Sequence, residues 1–551
     1  MRTVTHMPPP LSRPTRRIST LHLAAWLIVA TASLPQAQAQ SRARPDRAST
    51  TREPTRAAPV AAPSASEKQR AHEIEGEAVQ AFNDRHFVRA AELFEQQRTL
   101  TPRSFIVHFN LACTRSLLGE FEEAEERIAR AIELGFDDVH KFRLDPTLAP
   151  LRDRPFYNDL LNRWPQFLEL RRQSVLDRDR SWTRGRYTEQ SDDTLRIDIR
   201  TAHDETTTEQ AVDDLVRVAG FLTATLFPEL PVEPWHSHEP WVVVVLPSTR
   251  DFAAWKRQAV PGVSHGQSDV GGAYDHDAKR LVAKDLGPTL WHEFAHVLHF
   301  RDASRHNQRH ALWITEGLGS LVETFDTIPT TTGTAGTTGT VGESASTVSI
   351  APAPGWRLNS LKRAMDRGLL SSTQELIDLP PNRFTGSRGL RNYAHARAIM
   401  LFLLSRDQLK PFYDAYVKDF DTDPTGALAL EQATGTTLEE FDADLAAWLD
   451  TLPMVAEDMN DLTATIGADL DPGTGDGPRV SGFGAATRAS KNPGTDTLKL
   501  GSIISHVNGH PTRDLHELIR VLAPHAPGDA VTLTTRRGKI VTEVTTTLVA
   551  P

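Results

Sequence analysis

The sequence predicts a multidomain fold: an α-helical repeat module, then an α+β core, then a small β-rich domain. Three observations carry that reading. The chain has 551 residues, 39% of them hydrophobic and 24% charged, and a single core rarely grows past about 250–300 residues. A helical pattern repeats at an offset of 34 residues, from Phe87, Ala90, Ala91 and Phe94 to Phe121, Ala124, Glu125 and Ile128. Beyond it the hydrophobic period switches between 3.6 and 2, and residues 460–551 fall into short β-runs broken by Gly, Pro and Asn.

The N-terminus reads as an export signal over residues 1–39. Arg13, Arg16 and Arg17 precede an apolar run from Leu21 to Leu34, and Ala37-Gln38-Ala39 supplies small residues for cleavage. The run is too short for a comfortable membrane span. No later segment reaches about 18 apolar residues, so the mature chain is expected to lie free of the membrane, in the periplasm or outside the cell. Residues 40–70, rich in Pro, Ala and Ser, read as a disordered linker. The formal net charge is −10, and the arginines from Arg42 to Arg56 lie in that linker, so nucleic acid is not an expected partner. The single cysteine, Cys113, excludes an internal disulfide framework and any cysteine zinc site. Set in "NLACTRSLLG", it reads as a buried small hydrophobe.

Residues 71–170 are expected to form a helical module. The 34-residue period over residues 71–136, the small residues where paired helices cross, and Pro102 at the end of the first unit resemble tetratricopeptide repeats. A short helix in "DPTLAPLRDRPFYNDLLNRW" is expected to cap the pair. Two repeats bury little apolar surface, so they are expected to dock on the rest of the chain. The functional alternative is a groove that binds a partner peptide.

Residues 190–455 read as the α+β core. "DTLRIDIR" alternates like a strand, "EQAVDDLVRVAGFLTATLF" has helical spacing closed by Pro228, and "WVVVVLPS" is a buried-strand run. "GGAYDHDAKRLVAK" reads as a hairpin with Gly271-Gly272 ahead of its first strand. Residues 327–355, rich in Thr, Gly, Ser and Ala, are expected to be a flexible insertion. Helical patterns resume from Asn359.

The chemistry sits in "WHEFAHVLH". His292 and His296 are i and i+4, so both project from one helix face, and Glu293 can point into the same site. That spacing lets two imidazole nitrogens reach one metal ion at about 2.0–2.1 Å. A catalytic tetrahedral site needs a third protein ligand and an open position. Asp302 lies six residues past His296, but a chain turn to reach the metal from there needs Gly where this sequence has His299. Glu316, twenty residues past His296 in "ALWITEGLGSLVE", opens a second helix and is the better ligand.

Together, "TLWHEFAHVLH" and "HALWITEGLGSLVE" resemble the gluzincin zinc metallopeptidases of the peptidase MA-like group, over about residues 190–455. The resemblance implies one Zn2+ per chain held by His292, His296 and Glu316, with Glu293 as general base for hydrolysis of a peptide bond. It implies that the hairpin before the motif is an edge along which substrate lies extended. It further implies that Glu323 buttresses a ligand or binds a substrate amine. Tyr393, in "RNYAHARAIMLFLL", would stabilise the oxyanion, with His395 as the fallback. His299, His306 and His310 are expected at the surface or behind the ligands.

In residues 460–551, "LGSIISHVNGHP", a following helix and "APGDAVTLTTRRG" resemble the circularly permuted PDZ domains of bacterial periplasmic proteases. The sequence departs at Ser502, where that family usually has Asp, and "SKNPGTDT" replaces a short helix. The family's carboxylate-binding loop would fall at Thr465-Ile466-Gly467-Ala468. The reading is an exported zinc peptidase acting on a peptide or protein, with flanking modules able to hold a partner. Its competitor is a catalytically silent scaffold that assembles partners through those modules.

Overall fold

The computed structural model describes residues 65–228, 230, 239–259, 271–330, 347–473, 475–483 and 498–551. The export signal, its cleavage point, and residues 331–346 of the expected insertion lie outside the described residues. The architecture is mixed, with many helices and several small sheets. Among the described residues no helix is long and apolar enough to cross a membrane.

Six helices come first: α1 (Ala65–Asn83), α2 (Phe87–Leu100), α3 (Phe105–Leu118), α4 (Phe121–Glu133), α5 (Val139–Leu144) and α6 (Pro155–Trp182). Helix α1 begins inside the stretch expected to be linker. Ala90 and Ala124, one period apart, are both fully buried, so the helix backbones can approach there. Phe94 and Ile128, also one period apart, fill the layer beside them. Cys113 is buried in the cluster that holds Ile128, as its apolar neighbours predict. The expected short capping helix is instead 28 residues long, continuing through Pro165 and across the expected boundary at residue 170. Its apolar stripe has a second partner, which explains the length: Val175 and Leu176 pack on the central sheet.

The central sheet has the order β1-β2-β3-β5-β4. Its strands are β1 (Thr188–Asp192), β2 (Ile197–Thr201), β3 (Val242–Leu246), β4 (Gly272–Asp275) and β5 (Arg280–Ala283). The parallel strands β2, β3 and β5 are covered on both faces, which is why β3 reads as an unbroken valine run. Val243, Val245 and Val282 face α6 and α8 (Thr249–Ala259), while Val242, Val244 and Leu281 face the main core. Against that second face lie α7 (Glu205–Thr225) and α9 (Pro288–Arg305). Strand β4 pairs antiparallel with β5 and forms the sheet edge.

Helix α10 (Leu312–Leu321) follows, then β6 (Phe325–Thr330) and β7 (Thr347–Pro352). These two strands pair over six residues each, so the flanks of the expected flexible insertion are a regular antiparallel ladder. The remaining helices are α11 (Trp356–Asp366), α12 (Thr373–Ile377), α13 (Pro381–Phe384), α14 (Gly389–Ser405), α15 (Leu409–Asp419), α16 (Ala427–Thr434) and α17 (Leu438–Thr451). Apolar residues of α14, among them Ile399, Met400 and Phe402, are buried in the main core.

The C-terminal sheet has the order β13-β12-β10-β9-β8, with β11 (His510–Pro511) on β10. Its other strands are β8 (Ala468–Asp471), β9 (Arg479–Phe483), β10 (Ile503–Val507), β12 (Ala530–Arg537) and β13 (Ile540–Thr547). One helix, α18 (Leu515–Leu522), buries Leu518, Ile519 and Leu522 against it. The opposite, polar face of α18 meets the central part. His516 stacks on Trp356, and Arg520 donates to the Phe325 carbonyl at 2.7 Å and pairs with Asp326. Arg513, just before α18, pairs with the fully buried Asp214 of α7 and lies 5.2 Å over the Trp291 ring.

The helical part also docks, on the β4–β5 turn. Lys279 reaches Asp137 at 3.0 Å, and Arg171 donates to the Asp277 carbonyl at 2.6 Å.

Candidate metal centre

Helix α9 starts with Pro288 at its first turn, where a missing N–H costs nothing. Leu290, Trp291, Phe294, Val297 and Leu298 anchor it in the core, and the i, i+4 spacing then turns His292 and His296 toward α10. Glu316 comes from α10. Its Oε2 lies 3.2 Å from His292 Nε2 and 3.5 Å from His296 Nε2. Two ligands held about 2.0–2.1 Å from one tetrahedral ion are roughly 3.3–3.4 Å apart. These three side chains form a group whose ligating atoms all lie within 4.8 Å of one another. The donor set, two imidazoles and a carboxylate, suits a divalent ion such as zinc.

Room for an ion comes from Gly319, one turn past Glu316. A Cβ built there would stand 2.9 Å from His292 Nε2 and 2.9 Å from His296 Cε1. Any side chain at 319 would fill the space toward which the imidazoles turn.

The next layer fixes the imidazole. His292 Nδ1 lies 2.9 Å from Glu323 Oε1, an arrangement that leaves Nε2 free to bind a metal. Helix α10 ends at Leu321, so Glu323 reaches in from the turn behind it rather than from the helix face. Arg357 of α11 clamps Glu323, with Nη2 at 2.8 Å from Oε1 and Nε on Oε2. Burial alone would depress the His292 imidazole, but Glu316 and Glu323 outweigh it and raise it to about 10. Burial likewise works against ionised Glu316, yet His296 and His292 hold its carboxyl well below the ordinary range. The cluster therefore favours a cation among its carboxylates. His296 Nδ1 is buried with no hydrogen-bond partner among the described residues.

Glu293 points at the same space. Its Oε2 accepts a 2.8 Å hydrogen bond from the backbone N–H of Tyr274, on edge strand β4. Burial pushes its carboxyl above the ordinary range, against the lowering influence of His292 and His296. Tyr393 sits on the other flank, its ring centroid 6.2 Å from that of His292, with Arg357 5.6 Å over its face. Burial, then the Glu316 and Glu293 charges, push its phenol well up, so it stays a donor.

The remaining candidate side chains are placed as follows. His395 follows Tyr393 by two residues, about 200° around the helix. It is buried away from the site, and burial alone shifts it, to about 4. His299 and His310 are not at the surface. Both are buried and meet at 2.7 Å, because α9 is enclosed by the sheet, α10 and α15. His306 is exposed, as expected. Asp302 accepts the Tyr413 hydroxyl at 2.7 Å and is not part of the three-residue group. Sequence reasoning missed Gly319, Arg357 and the Tyr274 N–H. Only Gly319 left a signal, an unforced glycine inside a helix, three residues past a ligand.

No family model matches the chain, and no curated protein matches it. Among solved structures, the crystal structure of an aminopeptidase N family protein from Idiomarina loihiensis is similar at 13% identity and a TM-score of 0.25. That match covers 66% of this chain and 67% of that one.

Proposed function

We propose that this chain is an exported zinc-dependent peptidase that hydrolyses peptide bonds in a peptide or protein substrate. The observation that carries the reading is the convergence of His292, His296 and Glu316 on one small space, with Glu293 facing it and Gly319 leaving it open. His292, His296 and Glu316 would hold one ion. When bound, zinc supplies a Lewis acid for the scissile carbonyl and a water whose pKa falls to about 7.

The protein's own groups do the rest. Glu293 is the general base. Its Oε2 is held by the Tyr274 N–H, and Oε1 takes the proton of the attacking water and returns it to the leaving amine. Burial raises its carboxyl above the ordinary range, which makes it a stronger base than a free carboxylate. Tyr393, kept protonated, donates to the oxyanion as it develops. An extended substrate strand lies along the free edge of β4, which brings its backbone beside Glu293. Glu323, clamped by Arg357, orients His292.

The test is casein cleavage by the purified mature chain, before and after a chelator. Activity lost on chelation and restored by about one equivalent of Zn2+ supports the reading. Cleavage that persists in the metal-free chain overturns it.

A further inference from the structure

A second site stands apart from the metal centre, on the seam where the C-terminal half of α11 meets the start of α14. An open cavity of about 250 Å³ is lined there by Arg363, Arg367, Arg388, Arg391, Ser360 and Ser387. None of its lining residues is acidic. Ser360 and Arg363 lie one turn apart on α11, Arg367 follows at its C-cap, and Arg388 and Arg391 come from the N-cap and first turn of α14.

The four guanidinium groups are not equally occupied. Arg363 is held by Glu457 at 2.9 and 3.1 Å, and Arg391 donates to the Leu369 carbonyl at 2.8 Å. The Arg367 and Arg388 side chains are exposed and have no hydrogen bond or ion pair among the described residues. Glu457, and Asp461 beyond it, compensate Arg363, while no acidic side chain pairs with Arg367 or Arg388 among the described residues, so the cavity is locally cationic in a chain whose net charge is −10. Uncompensated like charges around one cavity repel, and a bound anion removes that repulsion.

Two further features point to the kind of anion. The 17-residue helix α14 opens onto the cavity with its N-terminus, and the Leu390 N–H has no backbone acceptor among the described residues. Guanidinium forks, a helix N-terminus and two serine hydroxyls together match a tetrahedral oxyanion. Leu369 and Leu390 stand on the rim 51% and 67% exposed, offering apolar contact to a small carbon group. We infer that this seam binds a dianionic oxyanion of the phosphate kind, free or as a small phosphomonoester. The inference does not depend on the zinc reading.

The test is calorimetric titration of the mature full-length chain with inorganic phosphate, sulfate and glycerol phosphate, with chloride at matched ionic strength as control. The wild type is compared with the Arg367→Gln, Arg388→Gln double variant. Both side chains are exposed and without partners, so the variant is expected to keep the wild-type melting temperature, zinc content and casein cleavage. Saturable binding at one site per chain, weakened at least tenfold in the variant, is the expected result. Equal affinity for phosphate and its ester identifies a bare oxyanion site, and tighter ester binding identifies a ligand that also uses the leucine rim. Heats no different from chloride, or equal saturation in the double variant, would overturn the inference while leaving the metal centre untouched.

Discussion

Gly319→Ala sets two opposed effects against each other, so its outcome is diagnostic. Residue 319 lies within α10, and Ala is better than Gly in a helix interior by about 0.8–1.0 kcal/mol. Propensity alone predicts a stabilised protein with an unchanged site. The structure predicts otherwise, because the new Cβ would stand 2.9 Å from both His292 Nε2 and His296 Cε1. Overpacking of this kind costs about 1–3 kcal/mol, so the metal-free chain should be destabilised by about 0–2 kcal/mol after the propensity gain. The effect on the metal should be larger, since both rings must move off their positions facing Glu316. Disturbing ligand orientation typically weakens metal affinity by about 10–100-fold. Competition with a chromophoric chelator gives the zinc affinity, and thermal unfolding of the chelated protein gives the stability. A Gly319→Ala chain that binds zinc as tightly as the wild type refutes the reasoning, whatever its melting temperature.

The other predictions concern different parts of the molecule. Arg513→Ala takes one of two arginines from the buried Asp214, Arg217 staying at 2.7 Å, at a cost of about 1–3 kcal/mol, and should expose the chain near residue 460 to limited proteolysis; unchanged stability would contradict the docking seen here. Tyr393→Phe should lower kcat by about 10²–10³-fold with KM and zinc content unchanged, and an unchanged kcat removes Tyr393 from the mechanism. Glu75 is raised by burial to about 7 from 4.5, against a hydrogen bond from Gln97. The folded chain therefore holds an extra proton between those values. The resulting stability is fully present below about 4.5 and is lost as pH rises through 7. Hydrogen exchange over residues 71–111, corrected for intrinsic rates, should show protection falling from pH 5 to pH 8 in the wild type and not in Glu75→Gln. Equal pH dependence in both would contradict the account.

The residues of the candidate site were legible where helical period determines direction. His292 and His296 share a face because they are four apart, and Glu316 could be found because a second helix visibly begins around it. The valine run of β3 was legible because a strand buried on both faces has no polar alternation. What the sequence hid depends on contact between segments. Gly319 matters through the space between two helices, and Arg357 reaches Glu323 only because the β6–β7 ladder brings α11 back to the site. Thr and Gly composition gave no hint of that ladder. The burial of His299 was hidden because polar residues on a helix usually mark its wet face, while α9 has none at that position, and His310, in the loop before α10, is covered by α15. The length of α6 was hidden for a similar reason: its far end is stabilised by a sheet that comes later in the chain.

The central claim is tested most directly by the zinc content of the purified mature chain, measured beside Glu316→Ala and Glu293→Gln with casein cleavage on the same samples. The account predicts about one zinc per wild-type chain, lost in Glu316→Ala, retained in Glu293→Gln, and no cleavage by either variant. Zinc retained by Glu316→Ala, or none in the wild type, would contradict it.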